Sequence, residues 1–182
     1  MSPSTTGGLH VVTLCTGNAA RSVMAGVMLA QLAEAEGLAL TVTTAGTHVL
    51  EGQPMGMRTK EAIIAIGALD TSMLGRHRSH QLTAEDCAAA DLIVAMEADH
   101  VAYVRRVHPE AAGHTATMRR VVTELSDEAT GFSTRLAALD LHAVDLATEI
   151  DVLDPAGADQ PRYDACALEI WELSQALIAL MA

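Results

Sequence analysis

A cysteine and an arginine stand six positions apart near the start of the chain, with small and polar residues between them. The segment from Cys15 to Ser22 reads CTGNAARS. A thiolate is a strong nucleophile, and a nearby arginine and a helix N-terminus both stabilise it. A planar guanidinium can also hold two oxygens of a tetrahedral oxyanion. The spacing therefore indicates attack by Cys15 on a bound phosphate or a similar anion.

The residues inside this segment suit the backbone of an anion-binding loop. Gly17 and Asn18 tolerate a left-handed backbone, and Ala19 and Ala20 do not obstruct a ligand. Successive N–H groups can turn inward, and the helix that follows directs its positive end to the same point. The predicted phosphate-binding residues are Thr16, Gly17, Asn18, Ala19, Ala20, Arg21 and Ser22. We call residues 15–22 the phosphate loop.

A lone cysteine at the end of a buried strand is more often a small apolar core residue than a nucleophile. Here the arginine, the following serine and the position between a strand and a helix favour the nucleophile. The segment matches neither the P-loop of nucleotide-binding proteins nor the GxGxxG dinucleotide pattern. The predicted ligand is therefore a simple oxyanion rather than a nucleotide.

Strand-like and helix-like segments alternate around this loop. A strand pattern at residues 9–14 precedes it, and apolar residues at helical spacing follow it from Met24 to Ala35, before Gly37. Further strands are predicted at residues 40–45, 91–96 and 115–122. This alternation predicts an α/β fold with one four-stranded, mostly parallel sheet and helices on both faces. Ligands bind such sheets at the carboxyl ends of the strands.

The remaining segments are predicted to be helices and connections. Residues 57–66 and a segment that ends near His108 have helical patterns, and the last helix follows Pro161. Thr83 and Asp86 have the spacing of a capping box. Residues 124–150 have a weak pattern, which predicts a loop with a short helix. Residues 1–8 are predicted to be a flexible N-terminus, and residues 9–182 one domain.

Composition limits the classes of partner. Half of the residues are hydrophobic, and the net charge is -12 with Lys60 as the single lysine. Nucleic acids and anionic membranes require a positive surface, so neither is a predicted partner. No run of 18 apolar residues and no signal-peptide pattern occurs, so we expect a cytoplasmic protein. The three cysteines lack CxxC spacing, which predicts reduced thiols and no metal site.

Several motifs together resemble the low-molecular-weight protein tyrosine phosphatases. The family signature is a Cys and an Arg separated by five residues and followed by Ser, usually with the Gly-Asn pair present here. Matches to other family motifs extend from about residue 9 to residue 155. They are Thr44-Ala45-Gly46-Thr47, Gly52-Gln53-Pro54, His77 to Asp86, Asp91 to Met96 and Asp151 to Pro155.

The resemblance implies a two-step hydrolysis of a phosphomonoester, in which a cysteinyl-phosphate forms and water then cleaves it. The implied catalytic residues are Cys15 as nucleophile, Arg21 as phosphate ligand, and Asp154 as acid and then base. The implied partners are a phosphorylated protein or a small phosphate ester, and inorganic phosphate or another tetrahedral oxyanion. No cofactor is implied.

Two departures from the family pattern affect the expected substrate and redox behaviour. The family commonly has an aromatic residue after the Ala-Gly-Thr segment and another after Asp-Pro, whereas this chain has Val49 or Leu50 and Ala156. Stacking against a phosphotyrosine ring is therefore expected to be weaker. Ala20 replaces a second loop cysteine that is usual in the family, so we predict easier irreversible oxidation of Cys15.

Two alternatives remain open at this stage. A related group uses the same loop for arsenate reduction, which needs two further cysteines near the end of the third strand, where this chain has Met96-Glu97. The other alternative is a non-catalytic anion-binding domain. Residues 124–150 are longer than in compact family members, and the sequence leaves open a lid or a partner surface.

Overall fold

The sheet at the centre of the fold brings the ends of three strands together beside the phosphate loop. The computed structural model describes residues 8–128 and 130–182. Its four strands are all parallel and lie in the order β2-β1-β3-β4. Cys15 pairs with Gly46, and Leu14 pairs with Ala95, so β1, β2 and β3 end at one edge. The strands are Leu9–Cys15 (β1), Leu40–Gly46 (β2), Leu92–Ala95 (β3) and Thr115–Thr117 (β4).

Seven α-helices within the described ranges surround this sheet. The first helix begins directly after the phosphate loop's alanines, and the last is 22 residues long. The predicted division of the chain into residues 1–8 and 9–182 stays a prediction, since residues 1–7 lie outside the described part. The helices are Arg21–Ala35 (α1), Met57–Ala65 (α2), Ala84–Ala89 (α3), Ala98–Val107 (α4), Met118–Glu124 (α5), Phe132–Ala137 (α6) and Gln160–Met181 (α7).

Both faces of the sheet are covered, as the sequence predicts. Side chains alternate along β1: Val11 belongs to one buried cluster, whereas Val12 and Leu14 belong to another. The first cluster includes residues of α1, α2, α5 and α7, and the second includes residues of α3 and α4. With few aromatic residues in the chain, methionine, leucine and alanine fill most of this core.

The end of the fourth strand differs from the sequence prediction. The predicted strand over residues 115–122 stops at Thr117, and α5 begins at Met118. The Thr117 side chain accepts a hydrogen bond from the Arg120 N–H, which caps the new helix. Met118, Val121 and Leu125 then lie buried on one face at helical spacing. The apolar residues after Thr117 therefore follow a helical pattern, and the prediction that the strand continues to residue 122 is wrong.

The segment between α5 and α7 packs onto the body of the protein. It contains α6 and two short 3-10 turns, at Leu141–Ala143 and Leu146–Thr148, as predicted for a loop with a short helix. Phe132, Leu136 and Leu141 are buried in the main core cluster. The predicted capping box of Thr83 and Asp86 is present at the start of α3. Within the two described ranges, no helix combines the length and apolar character needed to cross a membrane.

Candidate active site

The Cys15 thiol lies at the base of the phosphate loop, where β1 ends. Its Sγ lies 3.0 Å from the hydroxyl oxygen of Ser22, in the first turn of α1. That hydroxyl also accepts a hydrogen bond from the Asn18 Nδ2 group at 2.9 Å. Because an amide nitrogen can only donate, the hydroxyl proton of Ser22 is free to point to the sulfur. The side chains of Asn18 and Ser22, two of the predicted phosphate-binding residues, therefore support the nucleophile.

Asn18 fixes the shape of the loop. It is fully buried with φ of 49°, so it adopts the left-handed conformation that the sequence suggested, whereas Gly17 does not. The Asn18 side-chain oxygen accepts from the His80 backbone N–H at 2.9 Å, and its carbonyl lies 2.9 Å from His77 Nε2. Burial lowers the pKa of His77 and outweighs the opposite effect of that carbonyl contact, so a neutral imidazole donates to Asn18.

In the phosphate loop, the backbone N–H donors and the backbone carbonyl acceptors differ in their hydrogen bonding. From Thr16 to Ser22, no backbone N–H group donates a hydrogen bond to another described residue. Five carbonyls of the loop, in contrast, have hydrogen-bond partners in other parts of the structure. The carbonyls of residues 15, 16, 18, 19 and 20 accept hydrogen bonds, in this order, from Thr47 N, His48 N, His77 Nε2, Thr59 Oγ1 and Met24 N. The loop therefore carries a run of backbone N–H groups that have no acceptor among the described residues and are available to an anion.

The close approach of β2 to the loop explains the Thr-Ala-Gly-Thr motif. A Cβ atom added to Gly46 would lie 2.5 Å from the Thr16 carbonyl oxygen and 2.9 Å from the Asn18 backbone nitrogen. Real side chains do not approach backbone atoms so closely, so glycine is required here for steric reasons. Gly46 thus lets the loop lie directly against the end of the neighbouring strand.

Arg21 is buried and held in one orientation. Its guanidinium contacts Glu97 twice, with Nη1 3.0 Å from Oε1 and Nη2 3.3 Å from Oε2. Nη1 also donates to the Val152 carbonyl at 2.8 Å, and Nη2 lies 3.1 Å from Asp154 Oδ2. These contacts leave the Nε–H group without an acceptor among the described residues. Arg21 can therefore present that donor to a ligand while its outer nitrogens stay fixed.

His100 connects Glu97 to the phosphate loop. Its Nδ1 accepts from the Glu97 N–H at 3.1 Å, so Nε2 carries the proton and lies 2.9 Å from Thr16 Oγ1. Burial, and then the positive charge of Arg21, lower the pKa of His100 to about 3. The ring is consequently neutral near pH 7 and acts as a fixed hydrogen-bond donor.

Asp154 reaches the same place from a distant part of the chain. We call residues 145–155 the acid segment. Its backbone pairs with the end of β3, since the Val152 N–H donates to the Met96 carbonyl at 2.8 Å. Asp151 Oδ1 accepts from the Ala98 N–H at 2.7 Å, at the start of α4. The Asp154 carboxylate then lies at the rim, 40% exposed, with Oδ1 accepting from the Ala156 N–H.

The loop and the acid segment enclose one cavity of about 270 Å³. Cys15, Arg21 and Asp154, the three predicted catalytic residues, all line it. Asn18 and Ser22 do not line the cavity and instead support the loop from behind. The other lining residues are Thr16, Gly17, Ala19, Ala20, Gly56, Thr59, Ala156 and Tyr163.

Sequence analysis missed several residues of this site. Glu97 follows β3, so its position at the carboxyl end of a strand next to β1 was a usable signal. Thr59 lies one turn into α2, and its hydroxyl donates to the Ala19 carbonyl at 3.0 Å. Tyr163 lies in the first turn of α7. The available signal was that this helix begins only a few residues after Asp154 in the sequence. Of the positions where the family has aromatic walls, Ala156 lines the cavity, whereas Val49 and Leu50 do not.

The two histidines that could suggest a metal site have other partners. His77 contacts the Asn18 carbonyl, and His80 Nε2 lies 2.8 Å from Asp86 Oδ2. Over residues 8–128 and 130–182, no group of three or more His, Cys, Asp or Glu side chains is arranged to hold a metal ion.

Several curated proteins are similar in sequence to this chain. A protein-arginine-phosphatase of Bacillus subtilis is 35% identical over 92 residues, which cover 50% of this chain and 58% of the relative. The low molecular weight protein-tyrosine phosphatase A of Mycobacterium tuberculosis is 36% identical over 106 residues, 57% of this chain and 62% of the relative. The chain therefore spans about three fifths of the length of these curated relatives.

Solved structures share the fold over nearly the whole chain. The YwlE arginine phosphatase, in a mutant with a phosphorylated active-site serine, has a TM-score of 0.75 at 25% identity and covers 93% of both chains. A low molecular weight protein tyrosine phosphatase from T. tengcongensis also has a TM-score of 0.75, at 27% identity, and covers 93% of this chain and 97% of its own. These matches confirm the predicted α/β fold.

The family model described as low molecular weight phosphotyrosine protein phosphatase matches residues 10–134, which is more than half of the chain. That range contains the phosphate loop, Gly46 and Glu97, but it ends before the acid segment. The resemblance noted from the motifs is thereby confirmed: the chain belongs to the low molecular weight phosphotyrosine protein phosphatase family.

Proposed function

We propose that this protein is a phosphatase that hydrolyses a phosphomonoester, on protein phosphotyrosine or a related phosphorylated substrate, through a cysteinyl-phosphate. The observation that carries the proposal is the run of backbone N–H groups from Thr16 to Ser22 that have no acceptor among the described residues, in a loop that lines one cavity together with Cys15. Such donors bind the oxygens of a phosphoryl group and stabilise the charge that they gain during transfer. These donors support a role as nucleophile for Cys15, whose side chain also belongs to the main core cluster.

In the first step, Cys15 Sγ attacks phosphorus. An S–P bond forms while the P–O bond to the leaving group breaks, and the protonated Asp154 carboxyl gives its proton to the departing oxygen. The loop amides and Arg21 hold the remaining phosphoryl oxygens. Glu97 and the Val152 carbonyl keep the guanidinium from rotating away, because they hold both of its outer nitrogens.

In the second step, water replaces the sulfur. The Asp154 carboxylate takes a proton from the water as its oxygen attacks phosphorus, the S–P bond breaks, and inorganic phosphate and the Cys15 thiolate are released. Ser22 stabilises the departing thiolate through its hydroxyl, 3.0 Å from Sγ. No metal ion or organic cofactor takes part in this proposal.

The relatives support this chemistry. The YwlE mutant carries a phosphorylated serine in its active site, as expected if the residue at that position accepts a phosphoryl group. The named relatives include phosphatases of arginine and of tyrosine, so phosphorylated side chains of proteins are the proposed substrates. We place the activity in the cytoplasm, because all three cysteines are free thiols, as expected in a reducing compartment.

The test is hydrolysis of para-nitrophenyl phosphate by the wild type, Cys15→Ser and Asp154→Asn, with a rapid-mixing measurement of the nitrophenol burst. We expect Cys15→Ser to lose activity by roughly 10⁴-fold or more, as for other nucleophiles. We expect Asp154→Asn to be slower by roughly 10²- to 10⁴-fold, the usual contribution of a general acid.

Matched variants separate chemistry from folding. Cys87→Ser changes a buried cysteine in the opposite core cluster, and Asp127→Asn changes an exposed carboxylate. Both should retain wild-type activity. The proposal fails if the wild type does not turn over although phosphate still protects Cys15 from alkylation, since that result describes an anion-binding loop without hydrolysis.

A further inference from the structure

One aromatic ring faces the phosphate cavity, although the family's usual wall positions do not supply it. Ala156 lines the cavity at the position after Asp-Pro, and neither Val49 nor Leu50 lines it. Tyr163 does, from the first turn of α7. Among the tyrosines of the chain, Tyr163 and Tyr103, only Tyr163 lies in this cavity.

The backbone around Tyr163 holds the ring in a defined place. Asp159 caps α7 by accepting from the Arg162 N–H, and the Tyr163 N–H donates to the Asp159 carbonyl at 3.4 Å. Pro161 restricts the same turn. The ring is partly buried and packs against the main core cluster. A side chain held in this way loses little conformational freedom when a ligand packs against it.

Tyr163 also lines a second recess, of about 510 Å³, outside the phosphate cavity. The two spaces share Gly56 and Tyr163, and the outer recess is completed by Met57, Arg58 and Glu61 of α2. A substrate whose phosphate lies over Cys15 and whose body continues into the recess must therefore pass along this ring. Gly56 adds no side chain to the passage between the two spaces, where an added Cβ atom would meet only Thr59 Oγ1, at 4.0 Å.

Other cavity residues make the path suitable for an apolar, planar group. Ala19, Ala20 and Ala156 line the cavity and carry no polar side-chain atoms, and the Thr59 hydroxyl donates to the Ala19 carbonyl. The hydroxyl of Tyr103, in contrast, accepts from Gln81 Nε2 at 3.1 Å and lies in a separate recess with His48 and Arg106. An aromatic leaving group gains from packing against an aromatic face, and an alkyl group gains less.

We propose that Tyr163 is the substrate-contacting wall of this site and gives it a preference for aryl phosphates. This inference rests on the proposed function for the identity of the reaction, but the wall itself is a binding property. The ring of the leaving group packs against Tyr163, and the remainder of the substrate continues between Tyr163 and α2. The aromatic contact thus comes from α7 instead of the loops after β2 and after Asp154.

Binding of two phosphonates that cannot be hydrolysed tests the wall without turnover. Calorimetry gives the Kd of benzylphosphonate and of methylphosphonate for the wild type, Tyr163→Phe, Tyr163→Ala and Tyr103→Ala. We expect the wild type to prefer benzylphosphonate, and Tyr163→Ala to reduce this preference by roughly three- to tenfold, in keeping with typical aromatic contacts. Tyr163→Phe and Tyr103→Ala should keep the preference.

Tyr163→Leu provides a second test if the alanine variant does not fold, as judged by circular dichroism. It keeps apolar bulk on the core but removes the flat face, so it should lower the benzyl preference at least threefold. An unchanged preference in Tyr163→Ala or Tyr163→Leu overturns the proposal, as does an equal loss in Tyr103→Ala. Neither phosphonate is hydrolysed, so a wild type without hydrolytic activity would not alter the ratio of the two Kd values. Failure of this proposal and failure of the proposed function are therefore distinguishable.

Discussion

The phosphate loop and the acid segment meet in one cavity, but different kinds of contact hold them there. The loop is contiguous in sequence, and its key support, from Asn18 to Ser22 and from Ser22 to Cys15, spans at most seven positions. Its backbone also lies directly against β2 at Gly46. Steric fit and short-range hydrogen bonds therefore contribute to its shape, together with the longer-range contacts of Thr59, His77 and His80 to the loop.

The acid segment depends on charged and polar side chains from distant elements. Arg120 of α5 holds it through Glu149, with Nε 2.9 Å from Oε1, and through the Thr148 hydroxyl. Asp151 joins it to α4 across 53 positions, and Arg21 joins it to α1 across 131 positions. Each of these contacts is made by a single side chain from outside or within the segment. A single substitution can therefore displace Asp154 while leaving the loop intact.

This difference suggests how the roles of the phosphate loop and the acid segment, the two halves of the site, can be separated. Damage to the loop should reduce both phosphate binding and turnover, because the donors bind phosphate in the ground state and in the transition state. Damage to the acid segment should reduce turnover and leave phosphate binding nearly unchanged, because Asp154 acts in proton transfer. The predictions below use this contrast.

Loss of the Arg120 side chain should have the largest effect on stability. The Glu149 side chain is 1% exposed, and in Arg120→Ala it would be left as a buried charge without this counter-ion, hydrogen-bonded by the Thr117 hydroxyl. Breaking such a buried pair costs about 3–5 kcal/mol. Chemical denaturation should show this loss of unfolding free energy, and binding of inorganic phosphate to the protein that remains folded should persist.

Arg119→Ala is the matched control for Arg120→Ala. Arg119 pairs with Glu169, and the two side chains are 38% and 30% exposed, so solvent weakens the pair. We expect a cost below about 1 kcal/mol. Equal costs for the two neighbouring arginines would show that Arg120 does not hold the acid segment through a buried charge.

Gly46→Ala should damage the loop half. The added methyl group would collide with the Thr16 carbonyl and the Asn18 nitrogen, so the loop must shift. Displacements near 1 Å can reduce turnover by about 10²-fold. Kinetics with para-nitrophenyl phosphate and calorimetry with phosphate should both show a loss.

Gly113→Ala is the control for Gly46→Ala, because a Cβ atom at Gly113 meets no other heavy atom within 4 Å. It should match the wild type in turnover and in phosphate affinity. If Gly46→Ala loses turnover but binds phosphate normally, the loop half does not behave as a single steric unit.

Asp151→Ala should damage the acid half more mildly. Asp151 Oδ1 caps α4 through the Ala98 N–H, and such caps contribute roughly 0.5–2 kcal/mol. Without this cap we expect kcat to fall by roughly tenfold, because Asp154 lies three residues further along, while the inhibition constant of phosphate stays within twofold. Steady-state kinetics with phosphate as competitive inhibitor measures both quantities.

Asp70→Ala removes a carboxylate that accepts a backbone N–H group in an exposed turn, at Ser72. It should change neither kcat nor the inhibition constant. A tenfold weaker phosphate inhibition in Asp151→Ala would contradict the separation of the two halves.

The same contrast explains which parts of the site could be predicted from sequence. The phosphate loop was identified because its residues are adjacent and its neighbours are a clear strand and a clear helix. Asp154 was assigned through family resemblance, since no local pattern distinguishes it from another Asp-Pro turn. Glu97 and Tyr163 were missed because their roles depend on contacts across 76 positions to Arg21 and on the packing of α7 beside the cavity. The predicted fourth strand is too long because valines such as Val121 and Val122 favour strands, whereas the apolar positions 118, 121, 122 and 125 follow the helical period.

His100 contacts both Thr16 and Glu97, and we expect measurements at acid pH to show its contribution to stability. Its pKa of about 3 lies below the ordinary value of 6.5, so between these values the unfolded chain binds a proton that the folded protein excludes. Stability contributed by the neutral ring is therefore complete above pH 6.5 and decreases as the pH falls toward 3, by at most about 1.4 kcal/mol per pH unit. His100→Asn should show a shallower decrease in the free energy of unfolding over this range.

The comparison needs a difference between variants, because carboxylates also titrate in acid. Their contribution is common to wild type and His100→Asn and cancels when the two pH profiles are subtracted. His142→Asn is the control, since the His142 side chain is 66% exposed. A difference that grows between pH 6.5 and 4 for His100 but not for His142 assigns the acid sensitivity to the buried ring that joins Thr16 to Glu97. Parallel profiles for all three proteins would mean that His100 can be protonated in the folded state at little cost, and the link between the two halves would then not depend on its neutral form.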